Sequence, residues 1–172
     1  IEGLGVVKYP NGSVYQGQFK DGAPNGKGKI VYSDGGYYEG DWINGVIEGD
    51  GEALYANGAK YVGQFKQSAH HGQGVMTRPN GYRYEGQWTE GGADGEGTVR
   101  YSNGSVYTGT FRSGIREGQG EITLTDGFTY KGEWLGGQIN GQGIATYANG
   151  DSYTGAFKGG ERQGLGEARY AN

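Results

Sequence analysis

"YTGTFRSGIREGQGEITLTDG", residues 107–127, sets strand-forming side chains among glycines that ought to weaken a strand. Tyr107, Thr108, Thr110, Phe111, Ile122, Thr123 and Leu124 favour extended chain, yet Gly109, Gly118 and Gly120 sit among them. Side chains two apart on a strand share a face. Tyr107, Gly109 and Phe111 therefore project to one side. Gly118, Gly120, Ile122 and Leu124 form a matching set on the next strand. The intervening Thr108, Thr110, Gln119, Glu121 and Thr123 make a polar face suited to water.

The same arrangement recurs along the whole chain. Tyr-x-Gly-x-aromatic occurs at Tyr15-Gly17-Phe19, Tyr38-Gly40-Trp42, Tyr61-Gly63-Phe65 and Tyr84-Gly86-Trp88. It continues at Tyr107-Gly109-Phe111, Tyr130-Gly132-Trp134 and Tyr153-Gly155-Phe157, every step being 23 residues. A Gly-x-Gly pair keeps that step from Gly3/Gly5 to Gly164/Gly166. So does a turn dipeptide, Asn11-Gly12, Asp34-Gly35, Asn57-Gly58, Asn80-Gly81, Asn103-Gly104, Asp126-Gly127 and Asn149-Gly150. Three features in one register exclude compositional accident and mark a repeat architecture.

Composition agrees. Of 172 residues, 40 are Gly, about three times the usual share, while 15 Tyr, 5 Phe and 3 Trp are too many for a solvated linker. A net charge of −4 disfavours nucleic acid, whose phosphates need concentrated Lys and Arg. There is no cysteine, hence no disulfide or thiol chemistry. No apolar run approaches the roughly 20 residues that span a bilayer, and no signal peptide is evident.

The pattern resembles the MORN (membrane occupation and recognition nexus) repeat family across essentially all residues 1–172. The resemblance rests on Tyr-x-Gly-x-aromatic, the Gly-x-Gly pair and the Asn/Asp-Gly dipeptide in fixed register. It implies an all-β fold: an elongated, twisted, single-layer antiparallel sheet of stacked 23-residue β-hairpins, open like a solenoid. About seven complete repeats plus partial ones give about 15 strands, or roughly 70 Å at ~4.8 Å per strand. Two departures stand out. Ser68 replaces the Gly found at Gly22, Gly45, Gly91 and Gly114, and Arg78 and Leu124 replace the Tyr found at Tyr32, Tyr55, Tyr101 and Tyr147. The fourth and fifth hairpins are therefore expected to carry a locally altered groove.

Register follows from parity. A two-residue loop at Asn103-Gly104 would put Tyr107 and Tyr101 on opposite faces. A three-residue loop, Ser102-Asn103-Gly104, keeps them together, with Gly104 left-handed. Val99 then opposes Tyr107, Gly97 opposes Gly109 and Gly95 opposes Phe111. On the other side, a six-residue loop from Arg112 to Glu117 is expected to set Gly109 against Gly120 and Phe111 against Gly118. Phe111 would lie between two glycines, and the rings would be knobs in glycine sockets.

A longer period lies above the first. "NGSVYQGQF" at 11–19 and "NGSVYTGTF" at 103–111 are 92 residues apart, and Phe and Trp alternate at the last aromatic position. This reads as duplication of a four-repeat block; coincidence under tight constraint is the alternative. Neither end carries an atypical capping repeat. A segment of a longer protein is expected, with compartment unknown.

No catalytic set assembles, so no enzyme is expected, nor a cofactor. His70 and His71, the only histidines, read as exposed turn residues rather than metal ligands. Glu39, Asp41, Glu85 and Glu133 fall on the polar face. The Gly-x-Gly pairs lack the Lys-Ser/Thr tail of a phosphate loop. Asn11-Gly12-Ser13 and Asn103-Gly104-Ser105 match a glycosylation acceptor, but the turn already explains them.

Binding remains. The candidate partner-binding residues are the groove aromatics Tyr15, Phe19, Tyr38, Trp42, Tyr61, Phe65, Tyr84, Trp88, Tyr107, Phe111, Tyr130, Trp134, Tyr153 and Phe157. Pure packing is the competing account of that stripe. The first expectation is a non-catalytic scaffold that binds a protein or peptide, or a second copy of itself, through the groove or an exposed edge. This agrees with what the resemblance implies. A second is phospholipid at a membrane surface, suggested by the family's name. The acidic chain offers it only a sparse Lys8, Lys20, Lys27 and Lys29 cluster. A third is glycan stacking on the rings.

Overall fold

The computed structural model describes residues 2–172. Its fifteen strands follow chain order in an open sheet, with no crossover and, among the described residues, no helix. Two compact units divide the chain, residues 1–79 with 87–92 and residues 80–86 with 93–172. The first holds β1 (Gly3–Lys8), β2 (Val14–Lys20), β3 (Ala23–Val31), β4 (Tyr37–Ile43), β5 (Val46–Leu54), β6 (Lys60–Lys66) and β7 (Ala69–Thr77). Residues of β8 (Arg83–Thr89) belong to both. The second holds β9 (Gly92–Arg100), β10 (Val106–Arg112), β11 (Ile115–Thr123), β12 (Thr129–Leu135), β13 (Gln138–Thr146), β14 (Ser152–Lys158) and β15 (Glu161–Arg169). Within each unit consecutive strands pair antiparallel.

The turn after β9 has the expected form. Tyr101 N donates to Ser105 O at 2.9 Å and Gly104 N to Tyr101 O at 2.9 Å, so three residues close the loop. Gly104 has φ +90°, and Asn103 Oδ1 accepts the Ser105 amide. Tyr107 then pairs with Val99, Gly109 with Gly97 and Phe111 with Gly95, as parity requires.

The other turn corrects the sequence expectation. Gly109 does face Gly120, but Phe111 faces Arg116, not Gly118. Arg112 pairs with Ile115, so the connection is two residues, Ser113-Gly114, rather than six. Both have positive φ, +48° and +80°, the backbone of a type I′ hairpin whose twist matches the strands. The surplus residues are absorbed inside β11, in a bulge between Gly109 and Phe111. The same shift occurs between β2 and β3, β4 and β5, β12 and β13, and β14 and β15.

The glycine sockets also differ from expectation in which ring they seat. A Cβ on Gly120 would lie 2.2 Å from the Tyr107 hydroxyl oxygen, and one on Gly109 2.5 Å from Gly120 Cα. Tyr107, not Phe111, lies on bare backbone. Its hydroxyl donates to Thr110 O at 3.0 Å. Phe111 stands edge-on to Tyr84 and Tyr107, with ring centroids 5.1 Å apart in each case. Trp134 likewise meets Tyr107 at 5.1 Å and donates Nε1–H to Gly120 O at 3.0 Å. Each unit thus builds its core from a ladder of edge-to-face rings over glycine backbone, a favoured aromatic geometry.

Candidate functional site

Within each unit the predicted aromatics share one face, and none of the fourteen is more than 8% exposed. They form the floor of that face. The tyrosines among them rest on glycines, and the Phe and Trp rings wedge between neighbouring tyrosines. Burial drives the Tyr84 and Tyr107 hydroxyls up to about 12, so they stay protonated as hydrogen-bond donors.

What covers this floor is a row that sequence reading passed over. Opposite Phe19, Trp42, Phe65, Phe111, Trp134 and Phe157 stand Pro24, Ile47, His70, Arg116, Ile139 and Arg162 in turn. One residue separates each from the next Gly-x-Gly, so the row keeps the 23-residue step. That constancy was its only signal, because its chemistry varies from proline to arginine. Three of these side chains lie over tyrosine rings, His70 on Tyr61, Arg116 on Tyr107 and Arg162 on Tyr153.

Beside this row runs a second, of strand-end residues: Tyr32, Tyr55, Arg78, Tyr101, Leu124 and Tyr147. Tyr32 and Tyr55 are 38% and 40% exposed. The two rows meet in pairs fifteen residues apart, Tyr55 with His70 and Tyr101 with Arg116.

The His70 pair overturns the expectation of an exposed turn residue. His70 lies in β7 and stacks flat on Tyr61, 3.8 Å between centroids and 9° between planes. Its Nε2 shares a 2.6 Å hydrogen bond with Tyr55 Oη, Phe65 and Trp88 meet it edge-on, and its buried Nδ1 has no partner. A charged imidazole would need water on that nitrogen, and burial accordingly lowers its pKa to about 4. The reading failed because it placed residues 70 and 71 in a loop that is in fact strand. Among the described residues no three His, Cys, Asp or Glu side chains converge on a metal position.

At the matching place in the second unit stands Arg116. Its guanidinium lies 4.5 Å from the Trp134 ring centroid, 5.7 Å from Tyr107 and 5.8 Å from Tyr101. Nη2 donates to Gly137 O at 2.6 Å. Arg162 repeats the motif over Tyr153 at 5.3 Å, and helps line an open cavity of about 500 Å³ with Tyr147, Asp151, Ser152, Ala168 and Tyr170.

The polar face behaves as a solvated surface. Glu39 pairs with Lys29 at 3.1 Å, Asp41 with Lys27 at 2.5 Å and Glu85 with Arg83 at 2.7 Å. The Lys27 hydrogen bond holds Asp41 below the usual carboxylate range. Glu133 accepts the Gln142 amide at 2.5 Å. Ser13 and Ser105, in the two acceptor-like triplets, are buried in the turns.

Two solved structures share this fold. One is the TCP domain of SAS-4 (dCPAP) of Drosophila melanogaster, in complex with a proline-rich motif of Ana2 (dSTIL). It is 19% identical, with a TM-score of 0.53 over 90% of this chain and 85% of that one. The other is the TCP10 domain of Danio rerio CPAP in complex with a peptide of Danio rerio STIL. It is 17% identical, with a TM-score of 0.54 over 88% of this chain and 68% of that one. At such identities the likeness is one of fold. The MORN repeat model matches eight successive segments, residues 1–14, 15–37, 38–60, 61–81, 84–106, 107–129, 130–152 and 153–172. With the tyrosine ladder and its glycine backbone repeating at the same step, this chain belongs to the MORN repeat family.

Proposed function

We propose that this chain is a non-catalytic scaffold module that binds an extended segment of a partner protein along its aromatic face. One observation carries the reading. Half-exposed tyrosines, Tyr32 and Tyr55 foremost, stand in register on a floor of rings that is already packed and rigid. Such residues offer large amphipathic contact area at small entropic cost, the property that enriches tyrosine at interfaces. The buried fourteen supply the rigidity, and the surface rows supply the contact. That two solved domains of like fold hold peptides supports the reading by analogy.

Selection from a phage-displayed library of nine-residue peptides tests it. Enriched peptides should lose most of their affinity for Tyr55→Ser and Tyr101→Ser proteins that melt like the parent. Peptides that bind these variants as well as the parent would remove the aromatic face from the account. Flotation with phosphatidylserine vesicles at physiological salt, without peptide selection, would point instead to a lipid surface.

A further inference from the structure

The covering row changes character along the chain. Before Arg116 it holds Pro24, Ile47 and His70, with Ala93 at the same step of the sequence, none charged at neutral pH. In the second unit it holds two arginines, Arg116 and Arg162, with Ile139 between them and Leu124 beside it in the strand-end row. Among the described residues neither guanidinium is ion-paired with a carboxylate. Three acids of the same unit hold backbone amides instead. Asp94 accepts the Ser113 amide, Glu117 the Gly136 amide and Asp151 the Ala171 amide. Asp151's other oxygen accepts from Asn149 Nδ2.

A chain of net charge −4 thus presents, on the aromatic face of its second unit, two arginines that are in no ion pair, each lying over aromatic rings. β11 and β15 are four strand steps apart, about 19 Å at ~4.8 Å per step. An extended or polyproline-type peptide covers that span in about six residues, at ~3.1–3.3 Å each.

We propose that this face of the second unit docks an extended acidic peptide. Two carboxylate side chains about six residues apart meet Arg116 and Arg162, and an apolar side chain midway rests on Leu124 and Ile139. The proposal rests on the partner-binding reading above and adds the chemistry of the partner. Arginine is suited to this because its planar fork binds a carboxylate through two parallel hydrogen bonds while its face stays on an aromatic ring. The rest of the peptide would make the neutral contacts common to every repeat.

Fluorescence anisotropy with a labelled synthetic peptide tests this on the whole chain. The peptide is proline-based, with glutamate at its second and eighth positions and leucine at its fifth. It should bind about tenfold more tightly than the same peptide with glutamine for glutamate, and the preference should shrink as salt rises. Arg162→Gln, an exposed position, should remove about half of the preference, and Arg116→Gln the remainder. If Arg116→Gln alters the melting temperature, Arg162→Gln still decides. Equal binding of the glutamate and glutamine peptides would overturn the proposal and leave the aromatic-face reading standing. Failure of both peptides, with phage-selected peptides still bound elsewhere, would also overturn it. Phosphatidylserine flotation abolished by Arg162→Gln would assign the arginines to lipid, and self-association abolished by it would assign them to a second copy. Either result would displace the peptide.

Discussion

His70 in the first unit and Arg116 in the second stand 46 residues apart at the same point of the repeat, on near-identical frames. Each covers a buried tyrosine, Tyr61 or Tyr107, beside a tryptophan, Trp88 or Trp134, and touches a strand-end tyrosine, Tyr55 or Tyr101. One presents a neutral ring stacked at 3.8 Å, the other a permanent cation. The frame is therefore indifferent to what covers it. Glycine and aromatic positions build the sheet, and the covering position sets the local chemistry of the surface, unit by unit.

That division can be broken most severely at the frame. Gly63→Val and Gly109→Val each drive a Cβ to 2.5 Å from the facing glycine's Cα, and backbone cannot yield as a side-chain tip can. Each should cost more than ~3 kcal/mol in urea unfolding, by similar amounts in the two units. Thr108→Val, on the solvated face, should change stability by less than ~0.5 kcal/mol despite valine's strand preference. Comparable losses from Gly109→Val and Thr108→Val would dismantle the account of the frame.

The two covering residues should part company on acidification. The folded His70 pKa is lowered to about 4, below its ordinary 6.5. Between pH 7 and 5 the unfolded chain therefore takes up a proton that the folded chain refuses. The associated stability, full above pH 6.5, is lost as pH falls through this window. It amounts to about 1 kcal/mol once the ring's partial contact with water is allowed for. His70→Phe should flatten that slope in urea titrations at the two pH values, while Arg116→Gln should leave it intact. A wild-type slope that persists in His70→Phe would place the effect elsewhere.

Smaller effects sharpen the picture. Arg116→Ile copies the covering residues Ile47 and Ile139, and removes the ring contacts and the Gly137 hydrogen bond. Melting should show a loss of about 0.5–1 kcal/mol, with the fold retained. Ser68 holds φ +64° where the equivalent turns use glycine, so Ser68→Gly should raise stability by about 0.5 kcal/mol. A fall instead would mean that Ser68 makes a compensating contact.

Most of the frame was legible in the residues. The 23-residue step gave the strand count, Asn103-Gly104 with the parity of Tyr101 and Tyr107 gave one turn, and Gly109 was correctly set against Gly120. The second turn was not legible, because counting assumed an unbroken ladder. A bulge in β11 and a two-residue turn use the same residues as a six-residue loop. From that slip followed the misplacement of His70 and the choice of Phe111 over Tyr107 as the ring seated on glycine.

Sequence alone determined that this chain repeats, that its strands carry one aromatic and one polar face, and that glycine must stand where rings lie, since only side-chain-free backbone leaves the room. The three-dimensional packing decided which rings are floor and which are surface. It did so because the rings pack on glycine backbone and edge-to-face on one another, with His70, Arg116 and Arg162 over three of the tyrosines, and all fourteen conspicuous aromatics are buried. The exposed chemistry was left to positions whose variable identities, histidine in one unit and arginine in the other, carry no pattern until their neighbours in space are known.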